Sequence, residues 1–175
     1  YAQSGKKNIR LLFPMVFTKD DVDILIELVE RIKIDLMREY KLKLEDLAIK
    51  IGFMIETPQA VENRDYIMRY ADYVVIGTSD LSKFLKDDRY KIYASIKKVI
   101  DTASRQTRKG KNISRKSEWI KEVFVAGRLA NEEKFLYFYL YLLGLYKYTY
   151  LTCLLNEGGL QRIKSYLQNK SIKDS

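Results

Sequence analysis

Short apolar runs alternate along the chain with longer segments in which apolar residues recur at helical spacing. Short continuous apolar runs are typical of strands that are buried on both faces of a sheet. They predict five strands, over residues 8–16, 49–55, 73–77, 123–126 and 148–153. The segments between and after them predict helices over residues 18–40, 57–70, 89–105, 132–145 and 160–169.

Three of the predicted helices begin with recognisable capping residues. Thr18 followed by Asp21 has the spacing of a capping box. Thr57 and Pro58 supply an N-cap and a proline at the first helical position. Asn131 is expected to cap the fourth helix. These signals support the predicted order of strand and helix.

The strict alternation of strand and helix predicts an α/β fold built from parallel β/α units, with helices covering the sheet. Five units are visible, so the candidates are an open doubly wound sheet and part of a TIM (β/α)8 barrel. No Gly-x-Gly-x-x-Gly motif follows the first strand, which counts against a nucleotide-binding open sheet. A complete barrel usually needs about 250 residues. Residues 1–175 are therefore predicted to form a single partial TIM-barrel domain.

One segment, residues 135–155, has the length of a bilayer span and a single charge, Lys147. Six tyrosines, a glycine and that central lysine count against membrane insertion. A buried helix followed by a buried strand accounts for the same residues. No signal peptide is recognisable, so we expect a cytoplasmic protein with no membrane partner. The chain begins at Tyr1 and not at Met, which suggests a fragment or a processed product.

Composition narrows the chemistry that the chain can carry. It has no histidine and one cysteine. Ser-His-Asp and Cys-His nucleophile sites, a histidine general base and a phosphohistidine are therefore excluded on this chain. Disulfides and structural zinc sites each need more Cys or His than the chain has. Carboxylates, Arg, Lys, Tyr and a metal held by oxygen remain.

The formal net charge of +9 is unevenly distributed. Residues 105–121 contain seven Lys or Arg and one acidic residue, Glu118, and so carry a net +6. Such a segment can attract nucleic acid, phosphorylated ligands or anionic lipid, although a solvated basic loop is the simpler interpretation. Trp119 is the only aromatic residue within it, so nucleic acid is not an expected partner.

Two carboxylates follow neighbouring predicted strands. Glu56 comes directly after the second strand, and Asp80 lies just beyond the third. The carboxyl ends of parallel β/α strands open on one rim, and neighbouring strands lie about 5 Å apart, so both carboxylates can share one cation. An all-oxygen ligand set favours Mg²⁺ or Mn²⁺. The spacing equally allows Glu56 to cap the following helix and Asp80 to cap a turn before Leu81.

Three segments carry a resemblance to a known family. They are IRLLFPM at residues 9–15, GFMIETP at residues 52–58 and IGTSDL at residues 76–81. They are similar to the C-terminal barrel of the phosphoenolpyruvate-utilising enzymes, which include phosphoenolpyruvate synthase, pyruvate phosphate dikinase and enzyme I of the sugar phosphotransferase system. The segment 160–164 resembles that family's last helix. The resemblance implies that the chain holds strands four to eight of a TIM barrel.

The resemblance also implies site residues. Glu56 and Asp80 match the family's Mg²⁺-binding Glu and Asp. Arg89 resembles an arginine that holds the substrate phosphate, with one residue missing before it. Ser79 replaces the usual Asn beside the metal-binding Asp and is expected to bond the substrate weakly. Mg²⁺ (or Mn²⁺) is the implied cofactor, and phosphoenolpyruvate or pyruvate is the implied ligand.

The chain departs from the family at residues 125–128, where VAGR aligns with Val-Cys-Gly-Glu. Ala126 replaces the Cys that is thought to protonate the enolate, so no catalytic residue is assigned. Arg128 replaces the Glu and reverses its charge. Cys153 is no substitute, because it lies on a different β/α unit. The basic stretch 105–121 is an insertion relative to the family.

Three functions remain as hypotheses. The first is a phosphoenolpyruvate synthase-related domain of the kinase or transferase class, which binds phosphoenolpyruvate or pyruvate with Mg²⁺ and is inactive or incomplete on its own. The second is a Mg-dependent aldolase or lyase of the citrate-lyase-β type, which residues 56–63 resemble in part. The third is a non-catalytic interaction module. Five units leave two open sheet edges, so a homo-oligomer or the rest of a barrel is the expected partner.

Overall fold

Strand and helix alternate through the structure, a computed structural model that describes residues 9–47, 49–109, 122–146, 150–153 and 157–173. Within these ranges the strands are β1 Arg10–Phe13, β2 Lys50–Ile55, β3 Tyr73–Gly77, β4 Glu122–Ala126 and β5 Tyr150–Cys153. The helices are α1 Lys19–Tyr40, α2 Pro58–Glu62, α3 Arg64–Tyr70, α4 Thr78–Phe84, α5 Arg89–Lys109, α6 Glu133–Leu145 and α7 Glu157–Lys173. Short 3-10 helices at Leu44–Leu47 and Arg128–Asn131 precede β2 and α6.

The five strands are parallel and lie in the order β1-β2-β3-β4-β5. In register, Ile55 of β2 pairs with Ile76 of β3, which in turn pairs with Val125 of β4. Because parallel crossovers are almost always right-handed, units added in one direction place their helices on the same face of the sheet. A doubly wound sheet needs a reversal of strand order, which is absent from this sheet. The predicted α/β fold of parallel β/α units is confirmed.

The helix-covered face of the sheet forms the hydrophobic core. Alternate strand residues are buried there: Ile51, Phe53, Ile55, Val74, Ile76, Val123 and Val125. They belong to one cluster with Val22 of α1, Ile67 of α3, Ile96 of α5 and Phe135 of α6. Packing in this core holds the helices against one face of the sheet. The opposite face, which we call the inner face, is not covered by these helices.

That inner face carries a group of five residues, which we call the inner-face cluster: Arg10, Gly52, Tyr73, Glu122 and Phe124. The Arg10 guanidinium donates two hydrogen bonds to the Glu122 carboxylate, from β1 to β4. A flat sheet would hold these two strands about 14 Å apart. The contact therefore requires a strongly curved sheet, as in an arc of a barrel.

Tyr73 is the centre of the inner-face cluster. Its hydroxyl donates to the Leu11 carbonyl at 3.0 Å, and its ring meets that of Phe124 edge-on at 5.9 Å. The Arg10 guanidinium lies over the same ring, 5.4 Å from its centre. The ring covers Gly52, where a Cβ would lie 2.3 Å from the Tyr73 Cζ atom. Burial raises the pKa of the Tyr73 hydroxyl, so the hydroxyl stays a donor to higher pH than in a solvent-exposed tyrosine.

Two of the three expected caps are present. Asp21 accepts from the Thr18 backbone N–H at 2.7 Å, while the Thr18 hydroxyl accepts from the Asp21 N–H at 3.2 Å. The backbone N–H of Thr18 lowers the pKa of the Asp21 carboxyl. Thr57 caps α2, with Pro58 in its first turn. The predicted Asn131 cap is wrong, because that residue ends a 3-10 helix and α6 follows without a side-chain cap.

The helices differ from prediction at four further points. Residues 57–70 form two helices because the Asn63 side chain donates to the Phe17 carbonyl at 2.8 Å and its backbone leaves the helical geometry. α4 forms where a loop was expected, and α7 begins at Glu157, ahead of its predicted start. α5 continues to Lys109, whereas the rest of the basic stretch, residues 110–121, lies outside the described residues.

The tyrosine-rich segment divides into a helix and a strand, as predicted. α6 ends at Leu145 after 13 residues, and β5 begins at Tyr150. Lys147 lies outside the described residues. Phe135 anchors α6 in the core, and Phe138 stacks on Tyr93 of α5 at 4.5 Å. Among the helices of the described ranges, none combines the length and the apolar character needed to cross a bilayer.

Candidate functional site

Glu56 lies at the carboxyl end of β2 and is 3% exposed. Its Oε1 atom accepts a hydrogen bond from the backbone N–H of Met15, which follows β1, at 2.9 Å. In the described part of the chain, Glu56 has no ion pair and no second hydrogen bond. A buried carboxylate is costly unless an opposite charge or several donors compensate for its lost hydration. The second oxygen is therefore available as a ligand for a cation.

Gly77, the last residue of β3, makes room for this carboxylate. A Cβ at Gly77 would lie 2.6 Å from Glu56 Oε2 and 2.8 Å from Glu56 Cβ. The carboxylate thus lies between the ends of three neighbouring strands. The alternative that Glu56 caps the next helix is wrong, because the Thr57 hydroxyl performs that role by accepting from the Ala60 N–H at 3.1 Å.

Asp80 lies in the first turn of α4 and not in a turn before Leu81, so the proposed turn cap is also wrong. Its side chain is 41% exposed, and its Oδ1 atom forms an ion pair with Lys83 Nζ at 2.8 Å. Exposed ion pairs one helical turn apart contribute only about 0–1 kcal/mol. A cation at the rim can therefore compete with Lys83 for the Asp80 carboxylate.

Ser79 and Thr78 join the end of β3 to the end of β4. The buried Thr78 hydroxyl donates to the Ala126 carbonyl at 2.7 Å and accepts from the Leu129 N–H at 3.3 Å. Ser79 Oγ accepts from the Arg128 N–H at 2.9 Å and keeps its own proton to donate. Sequence reasoning singled out Ser79 and missed Thr78. The available signal was a polar run directly after an apolar strand.

Gly127 allows the two rim segments to approach each other. Its φ of +101° is a conformation that side-chain-bearing residues rarely adopt. A Cβ there would lie 2.8 Å from both Thr78 Oγ1 and Ser79 Oγ. A glycine at this position is therefore required by both backbone conformation and space.

Two arginines near the rim are each paired with a carboxylate. Arg89, the first residue of α5, contacts Glu132 Oε1 through Nη2 at 3.0 Å. Its Nη1 atom is buried and has no hydrogen-bond partner in the described ranges. Arg128 contacts Asp87 through Nη2 at 2.6 Å, so its positive charge is neutralised locally. Arg89 thus retains an unmatched donor, whereas the guanidinium of Arg128 is already paired.

No residue of β5 replaces the acidic Cys that the family resemblance implies at the position of Ala126. Ala126 ends β4 without an ionisable side chain. Cys153 ends β5 and pairs with Val125, one residue before Ala126. Successive residues of a strand point to opposite faces, so Cys153 shares the helix-covered face with Val125. Its Sγ atom lies 3.7 Å from the Ala130 carbonyl.

Burial raises the pKa of the Cys153 thiol to about 11. We expect iodoacetamide to alkylate it at pH 8 about 10²-fold more slowly than in the denatured chain, because only the thiolate reacts. The rate should rise about tenfold per pH unit up to about pH 10. Mass spectrometry can follow this reaction at the single cysteine of the chain. Equal rates in the folded and denatured chain at pH 8 would contradict this burial.

The rim contains two candidate carboxylate ligands and no larger cluster. Among the described residues, no group of three or more Cys, Asp or Glu is arranged to hold a metal ion. Mg²⁺ usually keeps several waters and binds through one or two carboxylates together with phosphate oxygens of the substrate. The oxygen donors of Glu56 and Asp80 therefore fit Mg²⁺ or Mn²⁺ held jointly with a ligand.

Solved structures share this fold. An HpcH/HpaI aldolase from Desulfitobacterium hafniense matches 99% of this chain and 66% of its own, with a TM-score of 0.51 and 19% identity. The citrate synthase SbnG matches 98% of this chain and 65% of its own, with a TM-score of 0.51 and 17% identity. At these identities the likeness concerns the fold alone, and it agrees with the predicted partial TIM barrel.

Sequence relatives are phosphotransferases. The phosphoenolpyruvate-protein phosphotransferase of Haemophilus influenzae is 32% identical over 76 residues, which are 43% of this chain and 13% of the relative. That of Buchnera aphidicola subsp. Schizaphis graminum is 36% identical over 76 residues, with the same coverage. The match thus spans only a small part of these much longer proteins.

A family model extends the match to most of the chain. The model of the phosphoenolpyruvate-binding domain of phosphoenolpyruvate-utilising enzymes matches residues 1–148, which include Glu56, Asp80, Arg89 and Ala126. This match confirms the resemblance that the three sequence segments carry. The chain belongs to the phosphoenolpyruvate-utilising enzyme family, within that family's phosphoenolpyruvate-binding domain.

Proposed function

We propose that the chain binds phosphoenolpyruvate or pyruvate together with Mg²⁺ at the rim formed by the carboxyl ends of its strands. The observation that carries this proposal is the buried carboxylate of Glu56, which has one backbone donor, from Met15, and no ion pair with a described side chain. The match to a phosphoenolpyruvate-binding domain supports the choice of ligand.

Each residue at the rim has a defined part in this proposal. Glu56 and Asp80 hold the cation, whose charge offsets that of the anionic ligand. The partly exposed guanidinium of Arg89 binds the phosphate, while Glu132 holds it in position. The Ser79 hydroxyl, already fixed by a backbone N–H, donates its proton to the ligand.

The same rim lacks a proton donor for the enolate, because Ala126 has no acidic group. We therefore propose binding without efficient phosphotransfer by this chain alone. The kinase or transferase class then applies to a longer protein that completes the barrel. A cytoplasmic location stays a prediction.

The alternatives have less support. The aldolase or lyase hypothesis has the likeness of fold to an HpcH/HpaI aldolase, at 19% identity. A fold of this kind supports many chemistries, so it does not select one. The interaction-module hypothesis depends on the basic stretch, most of which lies outside the described residues, or on the tyrosine-rich segment, which forms α6 and β5.

Titration with Mn²⁺ tests the proposed cation site. We expect paramagnetic broadening of the amide signals around Met15, Glu56 and Asp80 at submillimolar Mn²⁺, with reversal by excess Mg²⁺. The Glu56→Gln variant removes the buried charge and should weaken Mn²⁺ binding at least about tenfold. Glu62→Gln is the matched control, because Glu62 is exposed on α2 and pairs loosely with Lys98 at 3.4 Å.

Two results would overturn the proposed site. One is an unchanged spectrum at millimolar Mn²⁺. The other is equal weakening by Glu56→Gln and Glu62→Gln, which would indicate a diffuse attraction between the cation and surface carboxylates.

A further inference from the structure

A basic pocket lies between α3 and α5, away from the strand ends that form the rim. It has a volume of about 560 Å³, opens to solvent and is lined by Arg64, Asp65, Arg69, Arg105 and Gln106. This volume lies within the range of about 300–1,000 Å³ that is usual for small-molecule sites. The lining residues belong to the helical layer, so the pocket is separate from the proposed Mg²⁺ site.

Two of its arginines share one uncharged acceptor. The fully buried Thr102 hydroxyl accepts from Arg64 Nε at 3.1 Å and from Arg105 Nη2 at 2.9 Å. The two donor nitrogens therefore lie at most 6.0 Å apart. Like charges at this separation repel each other unless an anion binds with them. The arrangement is thus electrostatically incomplete.

Few carboxylates compensate for this charge. Asp65 Oδ2 lies 3.8 Å from Arg64 Nη2, and the Asp65 side chain is 57% exposed. Neither Arg69 nor Arg105 forms an ion pair within the ranges that the structure describes. Arg69 instead lies over the Tyr66 ring, 5.9 Å from its centre. Three guanidinium groups and one carboxylate leave the pocket with a net charge of +2.

One other carboxylate, Asp101, acts on Arg105 electrostatically and is also engaged elsewhere. Asp101 precedes Arg105 by one helical turn and forms an ion pair with Lys97 at 2.9 Å. It also accepts a hydrogen bond from the Tyr146 hydroxyl. On the other side of the pocket, the Gln106 side chain donates to the Asp65 carbonyl at 3.3 Å and links α5 to α3. The arginines are therefore held in place with only partial neutralisation.

We propose that this pocket binds the phosphoryl group of a small phosphorylated ligand. A guanidinium group matches phosphate geometry through paired N–H donors. A phosphate dianion balances the +2 charge, whereas a carboxylate monoanion balances half of it. A pocket lined by five residues favours a small ligand over a nucleic acid strand, which requires an extended basic surface with aromatic platforms.

Titration of the complete chain with inorganic phosphate, at constant ionic strength in chloride, tests this site. We expect saturable amide shifts in α3 and α5 and a calorimetric signal of the same affinity. Arg105→Gln should weaken phosphate binding at least about tenfold, and Arg105→Lys should weaken it less, because lysine keeps the charge and loses the paired donors. Arg69→Gln, at the exposed edge of the pocket, should also weaken phosphate binding.

Two controls make the result specific. Arg38→Gln removes the same charge from the exposed surface of α1 and should leave phosphate affinity unchanged. The location of the shifted amide signals separates the two sites: phosphate at the rim would shift signals around Glu56 and Asp80, whereas phosphate in this pocket shifts those of α3 and α5.

Three results would overturn the proposal. The first is the absence of saturation at millimolar phosphate. The second is equal weakening of phosphate binding by Arg38→Gln and Arg105→Gln. The third is a single-stranded oligonucleotide that binds more tightly than phosphate and whose binding Arg38→Gln also weakens. The last two would assign the affinity to general surface charge.

Discussion

Replacement of Gly52 by alanine is expected to destabilise the protein by about 1–3 kcal/mol, the usual cost of overpacking a filled interior. A Cβ at Gly52 would lie 2.3 Å from the Tyr73 Cζ atom. The Tyr73 ring cannot easily withdraw, because its hydroxyl is bonded to the Leu11 carbonyl and its edge meets Phe124. Urea unfolding followed by circular dichroism measures the loss.

Gly144→Ala is the matched control. Gly144 lies within α6, and a Cβ there would meet nothing within 4 Å. Alanine should therefore stabilise the helix by about 0.5–1 kcal/mol. A Tyr73→Ala background should reduce the cost of Gly52→Ala, because the clash partner is then gone. If Gly52→Ala lowers the free energy of unfolding no more than Gly144→Ala does, the described packing of Tyr73 against Gly52 is contradicted.

The second large effect concerns catalysis. The chain is not expected to exchange the methyl protons of pyruvate with solvent above the uncatalysed rate. The exchange needs a group that removes a methyl proton and then returns one from solvent; such a group contributes about 10²- to 10⁴-fold, and Ala126 supplies none. Cys153 cannot compensate, because it shares the helix-covered face with Val125. Deuterium incorporation into pyruvate in D₂O with Mg²⁺, followed by NMR, measures the rate.

Introducing a thiol at position 126 should produce part of the proton-exchange activity. Ala126→Cys is expected to raise the exchange rate by about 10²-fold or more, whereas Ala126→Ser should not, since a hydroxyl is a far weaker acid than a thiol. Adding Glu56→Gln to Ala126→Cys should remove the gain. Exchange by the unmodified chain that Glu56→Gln abolishes would show a true enzyme and refute the expected inactivity.

The strands were predictable because their signal is local. β3 spans Tyr73–Gly77, as the apolar run predicts, and β2 differs by a single residue. α4 could not be predicted in the same way, because its seven residues begin with Thr78, Ser79 and Asp80, which are weak helix formers. Hydrogen bonds from Thr78 to the end of β4 accompany this helix. The division of residues 57–70 likewise depends on a carbonyl distant in sequence.

The candidate site was predictable as a set of positions and not as a set of contacts. Strand order alone places Glu56 and Asp80 on one rim. Met15 for Glu56 and Glu132 for Arg89 are partners that come from tertiary structure, whereas Lys83 reaches Asp80 from one turn further along α4. The inner-face cluster illustrates the limit, because Arg10 and Glu122 are 112 residues apart and no local pattern links them.

The order of the strands has a consequence for how the protein can be assembled and altered. Each strand is hydrogen-bonded to the strand that precedes it along the chain, so each β/α unit docks on the surface that the previous unit provides. Coupling between nearest neighbours of this kind resembles that of solenoid arrays, in which units accrete stepwise and terminal units fray first. The ion pair between Arg10 and Glu122 is an exception to this nearest-neighbour coupling, because it links the first strand to the fourth. A further β/α unit added next to β5 would not disturb the ion pair between Arg10 and Glu122.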